Sequence, residues 1–384
     1  MTLFRYKNPH YNPDKPHHRL YGFENNPPTR LNQWEALQWL WRRRKEHLPK
    51  APKEGYTQFY NEWCLPLTLP SEDHHYVTWL GHASIYLHTP DYGLLIDPVF
   101  SERASPFSFL GPKRKVAINW SISELPNLDY VLISHNHYDH LDLTTIREIL
   151  FHFPLVTFIV PLGLERWFYK RGITRVIALD WFAQYEALSH HIVDLTGNQN
   201  SDNQDQEEHN RADQGKRATN DHVISDSANL KITAVPAQHW SKRGIWDRNR
   251  SLWCGYMLQF AGKTIYFSGD SGYGSQLLTI ADYFPNIDLG FLPIGAYLPR
   301  DLMAPQHMNP QESVRLHQAL NIRYSVGIHW GIFELTDESL DDPIESLKRS
   351  LQEAGLPLNA FEALKINQTI LLTDEASSII MKPQ

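Results

Sequence analysis

The chain has little cysteine: two residues, Cys64 and Cys254, in 384. Two thiols so far apart exclude a disulfide framework and a zinc knuckle, and they suit a reducing compartment. Also missing is any uninterrupted apolar run of about 18 to 20 residues, the length a membrane-spanning helix needs. No signal peptide is expected, because the N-terminal stretch has no apolar core and Pro9, Pro13 and Pro16 interrupt every candidate helix there. Positive charge is not in surplus either. Against 36 Lys and Arg stand 43 Asp and Glu, a formal net charge of −7 that removes the global electrostatic case for binding nucleic acid. The expectation is a cytoplasmic protein whose contact with membranes, where it occurs, is peripheral.

What the chain does have is aromatic and histidine-rich punctuation around a strand-dense body. Residues 1–75 read as an extended arm with one amphipathic helix at 30–47. In that helix Leu31, Trp34, Leu37, Leu40 and Trp41 recur at three- and four-residue spacing, and the residues from Arg42 to Lys45 put positive charge at the C-terminal turn. Two readings stay open: a helix docked on the core, or a basic aromatic helix at a lipid interface.

From residue 76 strands dominate, at 76–80, 84–88, 93–96, 130–133, 157–160, 175–178, 230–235, 255–260, 264–267, 289–292, 324–328 and 369–372. Helices are expected at 143–151, 310–320 and 344–354. Several strand runs are apolar at every position, which suits burial on both faces and a layered α/β sandwich over 76–384. Residues 197–229 are almost entirely polar and are expected to form a mobile insertion, so His209 and His222 within it are not counted as ligands.

The chemistry concentrates in S-H-N-H-Y-D-H-L-D at 134–142, directly after an apolar strand. Three histidines and an aspartate within six positions need partners, and a metal ion is a partner they can share. Further candidate ligands each follow a predicted strand: His239 in P-A-Q-H-W, Asp270 in F-S-G-D-S-G and His329 in G-I-H-W-G. Residues at the carboxyl ends of neighbouring strands gather at one sheet edge, where α/β proteins bind ligands. The expected arrangement is two zinc ions, with iron or manganese as substitutes. One is held by His135, His137 and His239 and the other by Asp139, His140 and His329, with Asp270 and a hydroxide between them. His74, His75, His190 and His191 lack such context and read as structural.

The run H-x-H-x-D-H at 135–140 resembles the defining motif of the metallo-β-lactamase superfamily. Further motifs are G-H-A-S at 81–84, D-P-V-F-S at 97–101, R-A-S-P at 103–106, G-P-K-R at 111–114, I-S-E-L-P at 122–126, Q-H-W at 238–240, G-D-S-G-Y at 269–273 and I-H-W-G at 328–331. Together they resemble the N-acyl phosphatidylethanolamine-hydrolysing phospholipase D family, over about residues 79–333. The resemblance implies a four-layer αβ/βα sandwich. It also implies a dinuclear zinc phosphodiesterase in which a metal-bridging hydroxide attacks phosphorus, releasing an N-acylethanolamine and a phosphatidic acid.

It further implies that Asp139 and Asp270 take part in catalysis and that Gln306 and His307 lie near the reacting phosphate. Tyr138 contacts substrate or supports its loop, and His82 fixes the first strand pair or orients a ligand. Ser108 and Phe109 stand where the family has a Gln-Tyr pair lining the substrate cavity, so they are candidate substrate contacts that alter selectivity. The implied partners are a phospholipid, a membrane surface and a second copy of the chain, without nucleic acid. Competing readings are a zinc-dependent lactonase or other small-molecule hydrolase of the same superfamily, and a non-catalytic lipid-binding protein.

Overall fold

The computed structural model describes residues 6–29, 33–187 and 230–372. Two seven-stranded sheets carry the body. The first runs in the order Gln368–Leu371, Tyr76–Gly81, Ser84–His88, Gly93–Ile96, Tyr130–Leu132, Thr157–Pro161, Val176–Leu179. The second runs Phe361–Glu362, Ile322–Ile328, Ile287–Pro293, Lys263–Phe267, Gly255–Phe260, Leu230–Val235, Gln184–Ala187. Each sheet is half antiparallel and half parallel, with the parallel pairs joined through helical connections.

The period-two geometry of a strand explains the continuous apolar runs. Val77, Trp79, Ile85, Leu94, Ile96 and Leu132 enter the core between the sheets, against Ile232, Tyr256, Leu258 and Phe267. Their neighbours Tyr76, Leu80, Tyr86, Leu95, Val131 and Ile133 enter a separate outer core under helix Leu143–His152, with Ile146 and Ile149. Helices Pro310–Ala319 and Asp342–Glu353 close the far face of the second sheet through Leu316, Leu347 and Leu351. The expected four-layer sandwich is the observed one. Helix ends follow local chemistry. Asp142 caps Leu143–His152 by accepting from the Thr144 N–H, and Asn309 with Glu312 forms a reciprocal capping box ahead of Pro310.

The N-terminal arm differs from expectation in two ways. It holds a second helix, Gly55–Trp63, as well as the one at Gln33–Glu46, and a short hairpin of His18–Arg19 with Gly22–Phe23. Gly55–Trp63 spans too few turns for a clear apolar period, and it is set by tertiary packing of Phe59 and Trp63 on Trp330. In the first helix the face on the body is Ala36, Trp39 and Arg43. Trp39 Nε1 donates to Asp337, and the Arg43 guanidinium donates to the carbonyls of Glu334, Leu335 and Thr336. The apolar stripe points outward: Trp34 and Trp41 are each 67% exposed, and Leu37 and Leu40 are 58% and 52%. Arg30 and Leu31 lie outside the described residues, as do His190, His191 and the insertion expected at 197–229. The strands on either side of that stretch, Gln184–Ala187 and Leu230–Val235, pair directly at the sheet's edge.

Candidate metal centre

The strand ends deliver the predicted residues to one place. The 134–140 loop leaves Tyr130–Leu132, His239 follows Leu230–Val235, Asp270 follows Lys263–Phe267, and His329 follows Ile322–Ile328. Two four-residue groups of converging ligand atoms result, His135, His137, His239 and Asp270 in one and His82, Asp139, His140 and His329 in the other, overlapped by the smaller sets Asp97, His135, His140 and Asp270, His307, His329.

In the first group His137 Nδ1 lies 2.8 Å from His135 Nε2 and 3.2 Å from His239 Nε2. In the second, His329 Nε2 lies 3.3 Å from Asp139 Oδ2, and His140 Nε2 lies 3.6 Å from the same oxygen. Asp270 stands between them. Its Oδ2 is 3.1 Å from His140 Nε2, 3.8 Å from His135 Nε2 and 3.7 Å from His239 Nε2, while Oδ1 is 3.2 Å from His329 Nε2.

The ring tautomers are set from behind. His140 Nδ1 donates to Asp97 Oδ2 at 2.7 Å, and His239 Nδ1 donates to the Gln306 carbonyl at 2.9 Å. Both therefore turn an Nε2 lone pair toward the cluster, as a metal ligand requires. His140 Nε2, His329 Nε2 and Asp270 Oδ1 are buried with no hydrogen-bond partner. Buried polar atoms left this way are costly unless something satisfies them, and an imidazole–carboxylate donor set of this kind fits a divalent transition metal.

Charge makes the same demand. Burial opposes ionisation of Asp139 and Asp270, yet the charge on His140 beside both, with His329 close to each, holds each carboxyl well below its ordinary range. Against the same burial, Asp270 and Asp139 pull His140 well above the usual imidazole value and His329 up to about 9. Without a cation the two carboxylates keep protons on these rings; a metal would displace them. Burial and neighbouring imidazoles push His135 well below its usual value and His137 down to about 3, leaving neutral donors.

The other predicted residues divide. His307 is brought to the site: its unpartnered Nδ1 is 4.0 Å from Asp270 Oδ2, and its ring is 5.1 Å from His239 and 5.3 Å from His329. Gln306 reaches the site through its backbone carbonyl on His239, because its side chain is engaged by Trp240 Nε1 and Met303. Tyr138 donates its hydroxyl to the Arg243 carbonyl at 3.1 Å. Ser108 shares a groove with Tyr138, while Phe109 is 78% exposed and packs on Phe107. His82 lies 3.2 Å from Asp139 through Nε2 and also passes its carbonyl to the His329 N–H.

Three residues of the site escaped sequence reasoning. Asp97 is fully buried, accepting from the Ser134 N–H and hydroxyl as well as from His140. Its motif D-P-V-F-S was visible, but nothing local says whom it faces. Asp97, His82 and His329 all adopt left-handed backbone, with φ of 42°, 53° and 63°. Strain of that kind persists where surroundings over-determine it. Gly269, at φ 60°, is needed beside Asp270, since a Cβ there would meet the Cys254 carbonyl at 2.8 Å.

Asn25, from the arm, is the third. Its Nδ2 donates to the His239 carbonyl at 2.9 Å, and its Oδ1 accepts from the His239 N–H at 3.2 Å and from Trp253 Nε1 at 3.0 Å. The arm is itself anchored, since Asp180 receives Lys15 at 2.5 Å, His17 at 2.7 Å and His18 at 3.1 Å. Asn25→Ala is expected to weaken metal binding about tenfold, measured by chelator competition, because it frees a ligand's backbone without touching the ligand ring. Unchanged affinity would show that the arm is dispensable to the site.

A family model described as a β-lactamase superfamily domain matches residues 92–330. N-acyl-phosphatidylethanolamine-hydrolyzing phospholipase D 1 of Caenorhabditis elegans is 33% identical over 280 residues, covering 72% of this chain and 70% of that protein. The mitochondrial N-acyl-phosphatidylethanolamine-hydrolyzing phospholipase D of Saccharomyces cerevisiae is 31% identical over 283 residues, 73% of this chain and 52% of its own length. The chain thus spans about half of the yeast relative. Among solved structures, the metallo hydrolase Igni18 of Ignicoccus hospitalis matches with a TM-score of 0.50 at 17% identity, over 78% of this chain and 99% of that one. That likeness is one of fold.

Proposed function

The chain belongs to the metallo-β-lactamase superfamily of hydrolases, and from that premise we propose that it is a dinuclear metal phosphodiesterase cleaving N-acyl phosphatidylethanolamine at a membrane surface. One observation carries the reading: two sets of imidazoles converge on one carboxylate, Asp270, with His135, His140 and His239 facing its Oδ2 and His329 its Oδ1. His135 Nε2, His137 Nδ1 and His239 Nε2 would hold one ion, and Asp139 Oδ2, His140 Nε2 and His329 Nε2 the other, with Asp270 shared. Two zinc ions there would lower the pKa of bound water from about 15.7 toward 7 and set positive charge against the phosphate oxygens.

The chain's own groups supply the rest. Asp139, ionised and only partly buried at the rim of the site, is placed to orient the attacking water by accepting its hydrogen bond. His307, with a free Nδ1 beside Asp270, is placed to hydrogen-bond a phosphate oxygen or the departing alcohol. Cleavage of the P–O bond on the ethanolamine side returns the N-acylethanolamine and leaves phosphatidic acid. The names of the worm and yeast relatives support this substrate class. So does the outward stripe of Trp34, Leu37, Leu40 and Trp41, followed by the exposed Arg44 and Lys45 in the last turn, a composition that suits a lipid headgroup layer. No helix among the described residues is long and apolar enough to cross a membrane.

The test is a panel of N-acylated and unmodified phospholipids in mixed vesicles, with products identified by mass spectrometry before and after chelation. Metal-dependent release of N-acylethanolamine is the expected result. Turnover of lactones or other soluble esters alone would replace the substrate while keeping the metal centre.

A further inference from the structure

Four arginines from four different parts of the chain face one groove beside the metal loop. Arg103 comes from the 101–111 loop, Arg147 from helix Leu143–His152, Arg171 from the turn after helix Glu165–Tyr169, and Arg243 from the segment after His239. The groove encloses about 550 Å³ and is lined also by Tyr138.

Among the described residues none of the four forms an ion pair. Their hydrogen bonds go to carbonyls: Arg103 to Ser108 and Gly111, Arg171 to Trp167, Arg243 to Asn136. Carbonyl dipoles hold a guanidinium in place without neutralising it. Aromatic faces orient two of them, with Arg243 3.9 Å over the Tyr138 ring and Arg171 3.9 Å over the Trp167 ring. Arg243 also lies 5.3 Å from that same Trp167 ring, so the indole brings the two like charges together.

The crowding shows at Arg171, which burial and then the neighbouring Arg147 lower from its ordinary value. The acids nearby are already committed. Asp142 accepts from the Ser101 and Thr144 N–H groups and the Thr145 hydroxyl, and Glu102 pairs with Lys113 at 2.7 Å.

We propose that this groove is a phosphate-binding site distinct from the metal centre, taking the phosphate of a lipid headgroup or free phosphate. Guanidinium forks match phosphate oxygens two at a time, and a site with several unpaired forks gains from a multivalent anion what it loses by self-repulsion. Occupancy would be felt at the reaction site. Arg243 Nη1 donates to the Asn136 carbonyl at 3.1 Å, and Tyr138 donates to the Arg243 carbonyl, so the groove and the ligand-bearing loop share atoms. The site stands whether or not the substrate proposed above is the right one.

The test uses the full-length, metal-loaded protein and the Arg147→Gln/Arg171→Gln double variant, since both side chains are exposed and carry no core packing. Inorganic phosphate is titrated calorimetrically at low salt, and vesicles of phosphatidylcholine with and without phosphatidic acid are tested by co-sedimentation. Wild type should bind, and the double variant should bind on the order of thirty-fold more weakly with its metal content unchanged. Binding to phosphatidic acid vesicles assigns the lipid as the source; binding to inorganic phosphate alone assigns the free ion. Wild-type affinity in the double variant, no binding by wild type, or a loss that tracks loss of metal would each overturn the proposal.

Discussion

Asp270→Asn should lower turnover by more than about a thousandfold while the fold survives. The carboxylate lies within reach of both imidazole sets, with Oδ2 3.1 Å from His140 Nε2 and 3.7 Å from His239 Nε2. The amide keeps the shape but removes the charge, and it leaves only one oxygen able to serve as a ligand. Its NH₂ must then face an imidazole lone pair or a metal, neither of which favours it where a carboxylate oxygen stood. If two ions act there as proposed, losing one of the two charges would remove several kcal/mol of transition-state stabilisation, and at about 1.36 kcal/mol per tenfold that is three orders of magnitude or more. Metal content, read by plasma mass spectrometry, should fall toward one ion per chain. His135→Ala should act likewise on the other side. A variant that kept two metals and more than a tenth of its turnover would remove Asp270 from the centre.

The second large effect is expected at a residue that touches no substrate. Asp97→Asn should weaken metal binding by about 10- to 100-fold, with much of the lost turnover restored by excess metal. Asp97 Oδ1 accepts from the Ser134 N–H at 2.7 Å, and Oδ2 accepts from the Ser134 hydroxyl and His140 Nδ1. All three partners point protons at it. An asparagine can answer them with one oxygen, so its amide donors meet either the Ser134 N–H or the His140 ring. If they meet the ring, His140 changes tautomer and turns a proton toward the metal instead of a lone pair. The unmatched buried donor also costs about 1–3 kcal/mol of stability, visible as a lowered melting temperature. Chelator competition separates the two effects, because destabilisation alone would not be rescued by added metal. Wild-type metal affinity in Asp97→Asn would reduce Asp97 to a packing role.

The fold was readable because its strands obey simple rules. Runs such as 84–88, 93–96, 230–235 and 255–260 are β-rich and closed by turns, and the observed strands coincide with them. Strands with apolar residues on both faces announce burial on both faces, and the two separate cores that receive alternate residues are the physical meaning of that pattern. Gly55–Trp63 was not readable in this way, for its helical state rests on Trp330, far away in sequence. The first helix shows the limit from another side. Its periodicity was plain, but which stripe is wet was decided by Trp39 and Arg43 meeting Asp337 and three carbonyls, a contact that amphipathicity does not encode.

The candidate metal ligands were legible for a local reason: histidine and aspartate so dense at strand ends have few structural uses, and the topology of an α/β sheet brings strand ends together. The sequence by itself therefore determined the donor types and their grouping around the 135–140 run. Only the tertiary structure decided what holds those donors. Asp97 behind His140, Asn25 on the backbone of His239 and the four-arginine groove are each assembled from segments far apart in the chain. Hydrogen bonds and charge repulsion depend on distances in space, and no spacing along the sequence carries them.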